Sequence, residues 1–316
     1  VFSALHTFAF LQSFQSHQLP TDIRQKHQGH SYSHPVSIAM AESCDNATKV
    51  PTLSNRATAS TLCEDDVFDD ISTADDDSST ILISSILPPL PAGSRRIYLL
   101  RHGETDWNLQ GKIQGGGYDI PLNENGRQQA LTTALALEDI PLGVVVSSHL
   151  SRAKETADIL WGRHNSTVQD RRVILNGFAE MSFGEFEGLA WRDQKLDPAL
   201  SERFKTISKQ LKQDVDEAFP GGGESTRDVA ERSTAALKQV LDSYPDQQHI
   251  AIVSHGRTNK VIIAASALGD VMQYPTVKQG NTCINVLDID ADSNWTVQTL
   301  NFLDHVKDNV IVREAS

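Results

Sequence analysis

The stretch IYLLRHGET, from Ile97 to Thr105, joins an apolar run directly to an Arg-His pair and a glycine. The apolar run predicts a buried strand, and open α/β sheets bind ligands just outside the carboxyl ends of their strands. Glycine at such a junction lets the backbone approach an anion closely. Because the strand needs no charged residue there for its stability, we interpret Arg101 and His102 as part of a binding site.

Two further apolar runs, Val144–Ser147 and Ile250–Ser254, have the same character as the first. Amphipathic helical patterns such as Arg127–Glu138 separate the three runs, which is typical of a parallel sheet covered by helices. We therefore predict an α/β fold, a three-layer α/β/α sandwich with a mostly parallel central sheet.

The remaining elements follow from local signals. A capping signal at Ser225 predicts the start of a helix. Apolar residues recur every three or four positions between Leu196 and Phe219, which predicts one long amphipathic helix stopped by a Pro-Gly-Gly-Gly sequence. Two runs rich in strand formers, Thr282–Ile289 and Thr296–Leu303, flank an Asp-Ser-Asn turn and predict the last two strands.

The three central runs bring four cationic or titratable side chains to one edge of the predicted sheet. Arg101 and His102 follow the first run, Arg152 lies just beyond the second, and His255 follows the third. Cations this close repel one another unless an anion lies between them, and arginine matches phosphate oxygens bidentately. The arrangement predicts a pocket for a phosphoryl group.

The amino-terminal third of the chain has a different composition. The chain has 316 residues and a net charge of −13, and the stretch 57–94 contains eight acidic residues and no Lys or Arg. Such a segment buries too little apolar surface to offset the entropy of ordering it. We predict a disordered or targeting segment over residues 1–93 and one folded domain over residues 94–310.

The start of the chain gives evidence on the protein's localisation in the cell. It begins at Val1 and its first methionine is Met40, so we expect either a fragment or translation from Met40. The stretch Val1–Leu19 lacks acidic residues and fits the remnant of an organelle presequence. We therefore expect a cytoplasmic protein, or a plastid or mitochondrial one if that presequence is genuine.

Composition also limits the classes of partner that we expect this protein to bind. An acidic chain with no basic stripe disfavours nucleic acid, and no stretch approaches the roughly 18 apolar residues of a membrane span. The three cysteines show no Cys-x-x-Cys spacing, which disfavours a disulfide framework and a structural zinc site. We expect a small phosphorylated metabolite as the partner, with neither nucleic acid nor membrane, and no metal.

Several motifs together resemble the histidine phosphatase superfamily, which includes cofactor-dependent phosphoglycerate mutases. They are RHGETDWN, GKIQG, SSHLSRAKETA and the late SHG, and the resemblance covers about residues 95–306. It implies that His102 is the nucleophile and that Arg101, Arg152 and His255 clamp the phosphoryl group. The residues assigned to substrate binding are Asn108, Gln114, Gly115, Gly256 and Arg257.

The segment FAEMSFGEFEG, from Phe178 to Gly188, resembles the part of the family that carries its proton donor. The resemblance implies that Glu180 is the donor, with Glu187 as the nearby alternative.

Three functions remain open on these residues. The first is metal-independent hydrolysis of a phosphomonoester. The second is mutase-type transfer with 2,3-bisphosphoglycerate as primer; the chain lacks the Glu-Arg-Arg stretch and the insertion typical of mutases, but Arg192 and Lys195 could contact a carboxylate or second phosphate. The third is a catalytically silent phosphoryl-binding scaffold, which the full set of catalytic residue types argues against. We favour hydrolysis and predict no other cofactor.

One departure from the family pattern concerns Arg257. Many phosphatases that resemble this chain continue the late His-Gly pair with a second glycine, whereas here His255 and Gly256 are followed by arginine. This extra cation would contact a second phosphate or a carboxylate of the substrate, or form a surface ion pair.

Overall fold

The computed structural model describes residues 81–164, 171–190 and 197–306. The strands are β1 (Arg95–Arg101), β2 (Val144–Ser147), β3 (Arg172–Ile174), β4 (His249–Ser254), β5 (Ile284–Ile289) and β6 (Trp295–Phe302). The α-helices are α1 (Asp106–Leu109), α2 (Glu124–Ala136), α3 (Ser151–His164), α4 (Pro198–Leu211), α5 (Thr226–Ser243) and α6 (Gly256–Ser266). Short 3-10 helices span Ile83–Ile86, Asn176–Phe178, Gly184–Phe186 and Val271–Thr276.

The six strands form one sheet in the order β3-β2-β4-β1-β5-β6. The first four in this order run parallel, and β5 and β6 complete the sheet with antiparallel pairings. The central strands β1 and β4 are apolar along most of their length because both of their faces are covered. The predicted mostly parallel central sheet is confirmed.

The two faces of the sheet carry separate apolar cores. In β1, Tyr98 and Leu100 belong to a cluster that includes residues of α2 and α3, whereas Ile97 and Leu99 belong to one that includes residues of α5 and α6. This division follows from the strand period of two, which sends successive side chains to opposite faces. The helices therefore lie on both sides of the sheet, as the predicted three-layer sandwich requires.

The register of the parallel strands aligns their carboxyl ends. Arg101 of β1 is paired with Ser254 of β4, and Ser147 of β2 is paired with Val253. The chain leaves all three strands at the same edge, where the first residues of the following loops and helices meet. This edge is where the sequence places the phosphoryl pocket.

The predicted boundary between the disordered segment and the domain is wrong for residues 81–93. These residues include a 3-10 helix whose Ile83 is fully buried in the core cluster shared with α2 and α3. The carbonyl of Pro88 also accepts a hydrogen bond from Arg96 Nη1 at 3.0 Å. Residues 1–80 lie outside the described residues, so for them disorder stays a prediction.

The single long helix predicted over 196–219 is also wrong. Helix α4 ends at Leu211, and Ala218 forms an isolated bridge with Ser225. The rings of Phe204 and Phe219 stack with centroids 6.0 Å apart, whereas fifteen residues of one helix would separate them by about 22 Å. The apolar spacing thus reflects two segments packed against each other, and the glycines after Pro220 turn the chain back instead of ending α4.

Other boundaries shift by a few residues. Helix α2 begins at Glu124 after the cap Asn123, earlier than predicted, and its buried side includes Thr133 in addition to the alanines. Strand β5 begins at Ile284 instead of Thr282, because Thr282 has a φ of 55° and leaves the extended conformation. Within the described ranges, no helix is both long and apolar enough to cross a membrane.

Candidate active site

His102 occupies the first position after β1 and is almost completely buried. Its backbone N–H donates to the carbonyl of Ser254 at 3.0 Å, and its Nδ1 lies 2.7 Å from the carbonyl of Gly103. Because a carbonyl oxygen can only accept, Nδ1 carries the proton and Nε2 keeps its lone pair. Burial, and then the charges of Arg152 and Arg101, hold the pKa of His102 well below its usual value. The imidazole is therefore neutral at pH 7.

His255 faces His102 from the end of β4, with the ring centroids 5.1 Å apart. Its Nδ1 accepts a hydrogen bond from Arg152 Nε at 3.3 Å, so its Nε2 carries the proton. That Nε2 is buried and has no hydrogen-bond partner among the described residues. Burial and the charge of Arg152 hold the pKa of His255 well below its usual value. His255 thus offers a neutral donor for an anionic oxygen.

Arg152 lies in the first turn of α3 and is fully buried. Its Nη1 donates to the carbonyl of Tyr118 at 3.0 Å and its Nη2 to that of Gly115 at 3.1 Å. Burial lowers the pKa of Arg152 to about 10, so it remains a cation at pH 7. None of the ion pairs found in the described part of the chain involves this guanidinium.

Arg101 completes the cationic group at the end of β1. It is 4% exposed, and its Nη1 donates to the backbone carbonyl of Gln279 at 2.9 Å. It directly precedes His102, and its partner in the sheet, Ser254, directly precedes His255. Its charge lowers the pKa of both imidazoles. The structure therefore brings the four residues predicted from the strand ends into one electropositive cluster.

Glu180 lies against the amino-terminus of α6. Its Oε2 accepts from the backbone N–H of Arg257 at 3.1 Å, and its Oε1 accepts from the backbone N–H groups of Thr258 and Met181 at 3.1 and 2.9 Å. The hydroxyl of Thr258 also donates to Oε1, at 3.2 Å. Since α6 starts immediately after His255, the carboxyl is held beside the cationic cluster. Its role as the proton donor stays a prediction.

Glu187, the alternative donor, has both oxygens engaged by the backbone. Its Oε1 accepts from the N–H of Phe183 at 2.9 Å and its Oε2 from the N–H of Gly117 at 3.0 Å. A Cβ at Gly115 would lie 2.0 Å from Glu187 Oε1, so this position has room only for glycine unless the glutamate moves. Glu187 therefore holds this loop, and the backbone groups it binds, unlike those that bind Glu180, do not belong to the first turn of α6 after His255.

A sequence profile of the histidine phosphatase superfamily (branch 1) matches residues 97–303. The chain belongs to this superfamily. The matched region runs from the third residue of β1 to just beyond the end of β6, and it contains all of the cluster described above. The resemblance proposed from the motifs is thereby confirmed.

Several members of the superfamily are similar to this chain. Phosphoglycerate mutase-like protein 4 of Arabidopsis thaliana is 33% identical over 216 residues, which are 67% of this chain and 87% of the relative. The metal-independent phosphoserine phosphatase of the same plant is 31% identical over 217 residues, 66% of this chain and 82% of the relative. Mycobacterial glucosyl-3-phosphoglycerate phosphatase with bound VO3 superimposes with a TM-score of 0.56 at 28% identity, covering 66% of this chain and 100% of that structure. These relatives confirm the prediction of a phosphatase or phosphoglycerate mutase-like enzyme.

Gln114 and Asn108, two of the residues predicted to bind substrate, make different contacts in the structure. Gln114 Oε1 accepts from the hydroxyl of Thr105 at 2.7 Å, whereas its buried Nε2 has no partner among the described residues and is available as a donor. Asn108 Oδ1 accepts from the backbone N–H of Thr105 at 3.2 Å and so caps the short helix α1. Asn108 therefore builds a turn at the site, and substrate contact by either residue stays a prediction.

The segment before β5 supports the backbone of His102, and this support was not predicted. Asn281 is fully buried, and its Nδ2 lies 3.3 Å from both the carbonyl of His102 and Asn108 Oδ1. The backbone N–H of Thr282 donates to the same His102 carbonyl at 3.3 Å. Together with the contact of Gln279 to Arg101, these bonds fix the backbone at the end of β1. The sequence signal is the run Gln279-Gly280-Asn281, which directly precedes the predicted strand Thr282–Ile289.

Gly256 and Arg257 form the first turn of α6, and Gly256 is buried at its first position. The guanidinium of Arg257 lies between two aromatic rings, with Cζ 5.7 Å from the centroid of Phe183 and 5.0 Å from that of Tyr274. The residue is 8% exposed and joins none of the ion pairs among the described residues. The alternative of a surface ion pair is therefore wrong.

Proposed function

We propose that this protein is a phosphomonoesterase that hydrolyses a small phosphorylated metabolite through a phosphohistidine on His102, without a metal. The observation that carries the proposal is the state of His102: a neutral imidazole, with Nδ1 bound to the carbonyl of Gly103, beside two buried guanidiniums. A nucleophile needs a free lone pair, and a phosphoryl group needs cations around its oxygens.

In the first step, Nε2 of His102 attacks phosphorus and the bond between phosphorus and the ester oxygen breaks. The departing alkoxide takes a proton from the carboxyl of Glu180, so the products of this step are the alcohol and an N-phosphohistidine. The equatorial oxygens carry negative charge in a loose transition state, and preformed cations and donors stabilise it. We assign this task to Arg101, Arg152 and the Nε2–H of His255, which are buried together at the ends of β1 and β4.

In the second step, water attacks the phosphohistidine. The carboxylate of Glu180 accepts a proton from that water, the bond between phosphorus and Nε2 breaks, and inorganic phosphate leaves. Both His102 and Glu180 return to their starting protonation states, so no further reactant is required. Among the described residues, no group of three or more His, Cys, Asp or Glu side chains is arranged to hold a metal ion.

The direct test uses the full chain and p-nitrophenyl phosphate in the presence of a chelator. We expect hydrolysis by the wild type and its loss in His102→Ala, with a phosphoryl label on the wild-type protein that survives alkali and is lost in acid. Activity that persists in His102→Ala, or that requires an added divalent metal, contradicts the proposal. A protein that binds phosphate but hydrolyses no ester supports the scaffold alternative.

Mutase-type transfer is a second candidate, favoured by relatives named for it, such as the probable phosphoglycerate mutase GpmB of Erwinia tasmaniensis at 30% identity over 220 residues. Arg192 and Lys195, which the sequence suggested for a substrate carboxylate, lie outside the described residues. Interconversion of phosphoglycerates should depend on 2,3-bisphosphoglycerate as primer, whereas hydrolysis should not. Primer-dependent conversion that exceeds hydrolysis would establish the mutase.

A further inference from the structure

Arg257 is a buried cation that the proposed phosphoryl chemistry does not use. Its Nη1 makes one long hydrogen bond, to the hydroxyl of Tyr274 at 3.4 Å, and its Nε is buried without a partner among the described residues. Removing a guanidinium from water without a carboxylate partner is costly. The rings of Phe183 and Tyr274 recover part of that cost through cation–π contact. An anion supplied by a ligand would offset the remainder.

Other arginines of this protein show what the Nε–Nη2 edge of a guanidinium binds. Arg96 holds Asp288 through Nε and Nη2 at 2.7 and 2.8 Å. Arg232 holds Glu224 through the same two atoms at 2.7 and 3.0 Å. In both pairs two parallel N–H groups match the two oxygens of a carboxylate. Arg257 presents the same edge, and no carboxylate in the described part of the chain engages it.

The backbone of Arg257 lies beside the candidate proton donor. Its backbone N–H donates to Glu180 Oε2, and it follows His255 by two residues. Phe183, on which its guanidinium lies, donates its N–H to Glu187, whose other oxygen holds Gly117 of the loop beside Arg152. The backbone of Arg257 therefore contacts the proposed proton donor, and its guanidinium lies on Phe183, in the same short segment of chain as that donor.

We propose that Arg257 is a specificity-determining residue that binds a carboxylate on the alcohol half of the substrate. This inference rests on the proposed phosphomonoesterase function and deepens it. The substrate class is then a phosphate ester of a hydroxy acid or an amino acid. A planar carboxylate matches the two N–H groups of Arg257 in the same way as Asp288 matches Arg96 and Glu224 matches Arg232. A second phosphate on the substrate is the competing outcome of the test.

The test compares esters that differ in the carboxylate alone. O-phosphoserine and O-phosphoethanolamine form one such pair, and the full-length wild type should show kcat/KM at least tenfold higher for phosphoserine. Arg257→Met should remove this preference, mainly through a higher KM for phosphoserine. Arg257→Lys keeps the charge but loses the fork, so it should retain part of the preference. Arg163→Met, at an arginine on the surface of α3 that is about half exposed, is the matched control and should keep the wild-type ratio.

Several results would overturn the inference. A preference that survives in both Arg257 variants assigns the carboxylate to other residues. An equal loss of kcat/KM for the two esters assigns Arg257 a general structural role. If Arg257→Met does not fold, the ratio of kcat/KM for the two esters is measured in Arg257→Lys instead. If Arg257→Met lowers kcat/KM for a bisphosphate such as 1,3-propanediol bisphosphate, and leaves that for phosphoserine unchanged, Arg257 binds a second phosphate. Wild-type activity without any carboxylate preference overturns this inference alone, whereas no activity on any ester overturns the proposed function as well.

Discussion

Glu180 is the carboxyl to which we assign proton transfer. The N–H groups of Arg257 and Thr258 hold it at the start of α6, directly after His255. An alkyl alkoxide needs a proton to leave, whereas p-nitrophenolate leaves readily as an anion. Glu180→Gln should therefore lower kcat/KM for an alkyl phosphate by about 10²- to 10⁴-fold. Its effect on p-nitrophenyl phosphate should be much smaller, and steady-state kinetics on both esters measures the difference.

Glu187→Gln is the matched control for this experiment. It changes a carboxyl to an amide seven residues away, at a side chain that holds the backbone of Phe183 and Gly117. We expect this variant to affect both esters by the same factor. If Glu187→Gln lowers kcat/KM mainly for the alkyl ester and Glu180→Gln affects both esters equally, Glu187 is the proton donor instead of Glu180.

At the scale of elements, the residues that follow the strands were predictable from the sequence, whereas the residues that hold them in place were not. Arg101, His102 and His255 directly follow apolar runs, so the parallel arrangement alone determines that they meet. Asn281 lies far along the chain, and it reaches His102 because β5 adds to β1 in the antiparallel sense. Helical spacing likewise does not reveal the end of α4 at Leu211, since the same apolar spacing is satisfied when the chain folds back.

Asn281 allows a test of this support. Asn281→Ala removes two buried hydrogen bonds and leaves the carbonyl of His102 with the N–H of Thr282 alone. Loss of a buried partner costs about 1–3 kcal/mol, so the free energy of unfolding should fall by that amount. We also expect a lower kcat, because the backbone that carries His102 becomes less fixed. Urea unfolding and initial rates measure the two effects.

The control for this variant is Asn294→Ala, in the exposed turn before β6, where the side chain bonds to Asp290. We expect a change of a few tenths of a kcal/mol at this surface position and unchanged kcat. If Asn281→Ala leaves both stability and kcat at wild-type values, the segment before β5 does not support the nucleophile.

For the whole molecule, the extent of the folded unit depends on residues that composition alone assigned to the acidic tail. Ile83 and its 3-10 helix pack into the core on the side of α2 and α3. A chain beginning at residue 94 should therefore be less stable than one beginning at residue 81, by about 1.5–3 kcal/mol for the loss of one buried isoleucine. Denaturant unfolding of the two chains measures this, and equal midpoints and slopes would show that Ile83 contributes nothing.

The buried histidines make the stability of the whole molecule depend on pH. Burial lowers the pKa of His102 and His255 well below the usual value of 6.5, and it lowers the pKa of His305 to about 4. Below pH 6.5 the unfolded chain therefore binds protons that the folded protein does not, so the free energy of unfolding falls as the pH falls. Each such histidine contributes a slope of up to about 1.4 kcal/mol per pH unit, and none above about pH 7.5. Urea unfolding between pH 7.5 and 5 should show this loss, with a shallower slope in His255→Asn and the wild-type slope in a variant of the exposed His149. An unchanged slope in His255→Asn would mean that His255 is protonated in the folded protein, which would remove the neutral Nε2 donor from the proposed phosphoryl site.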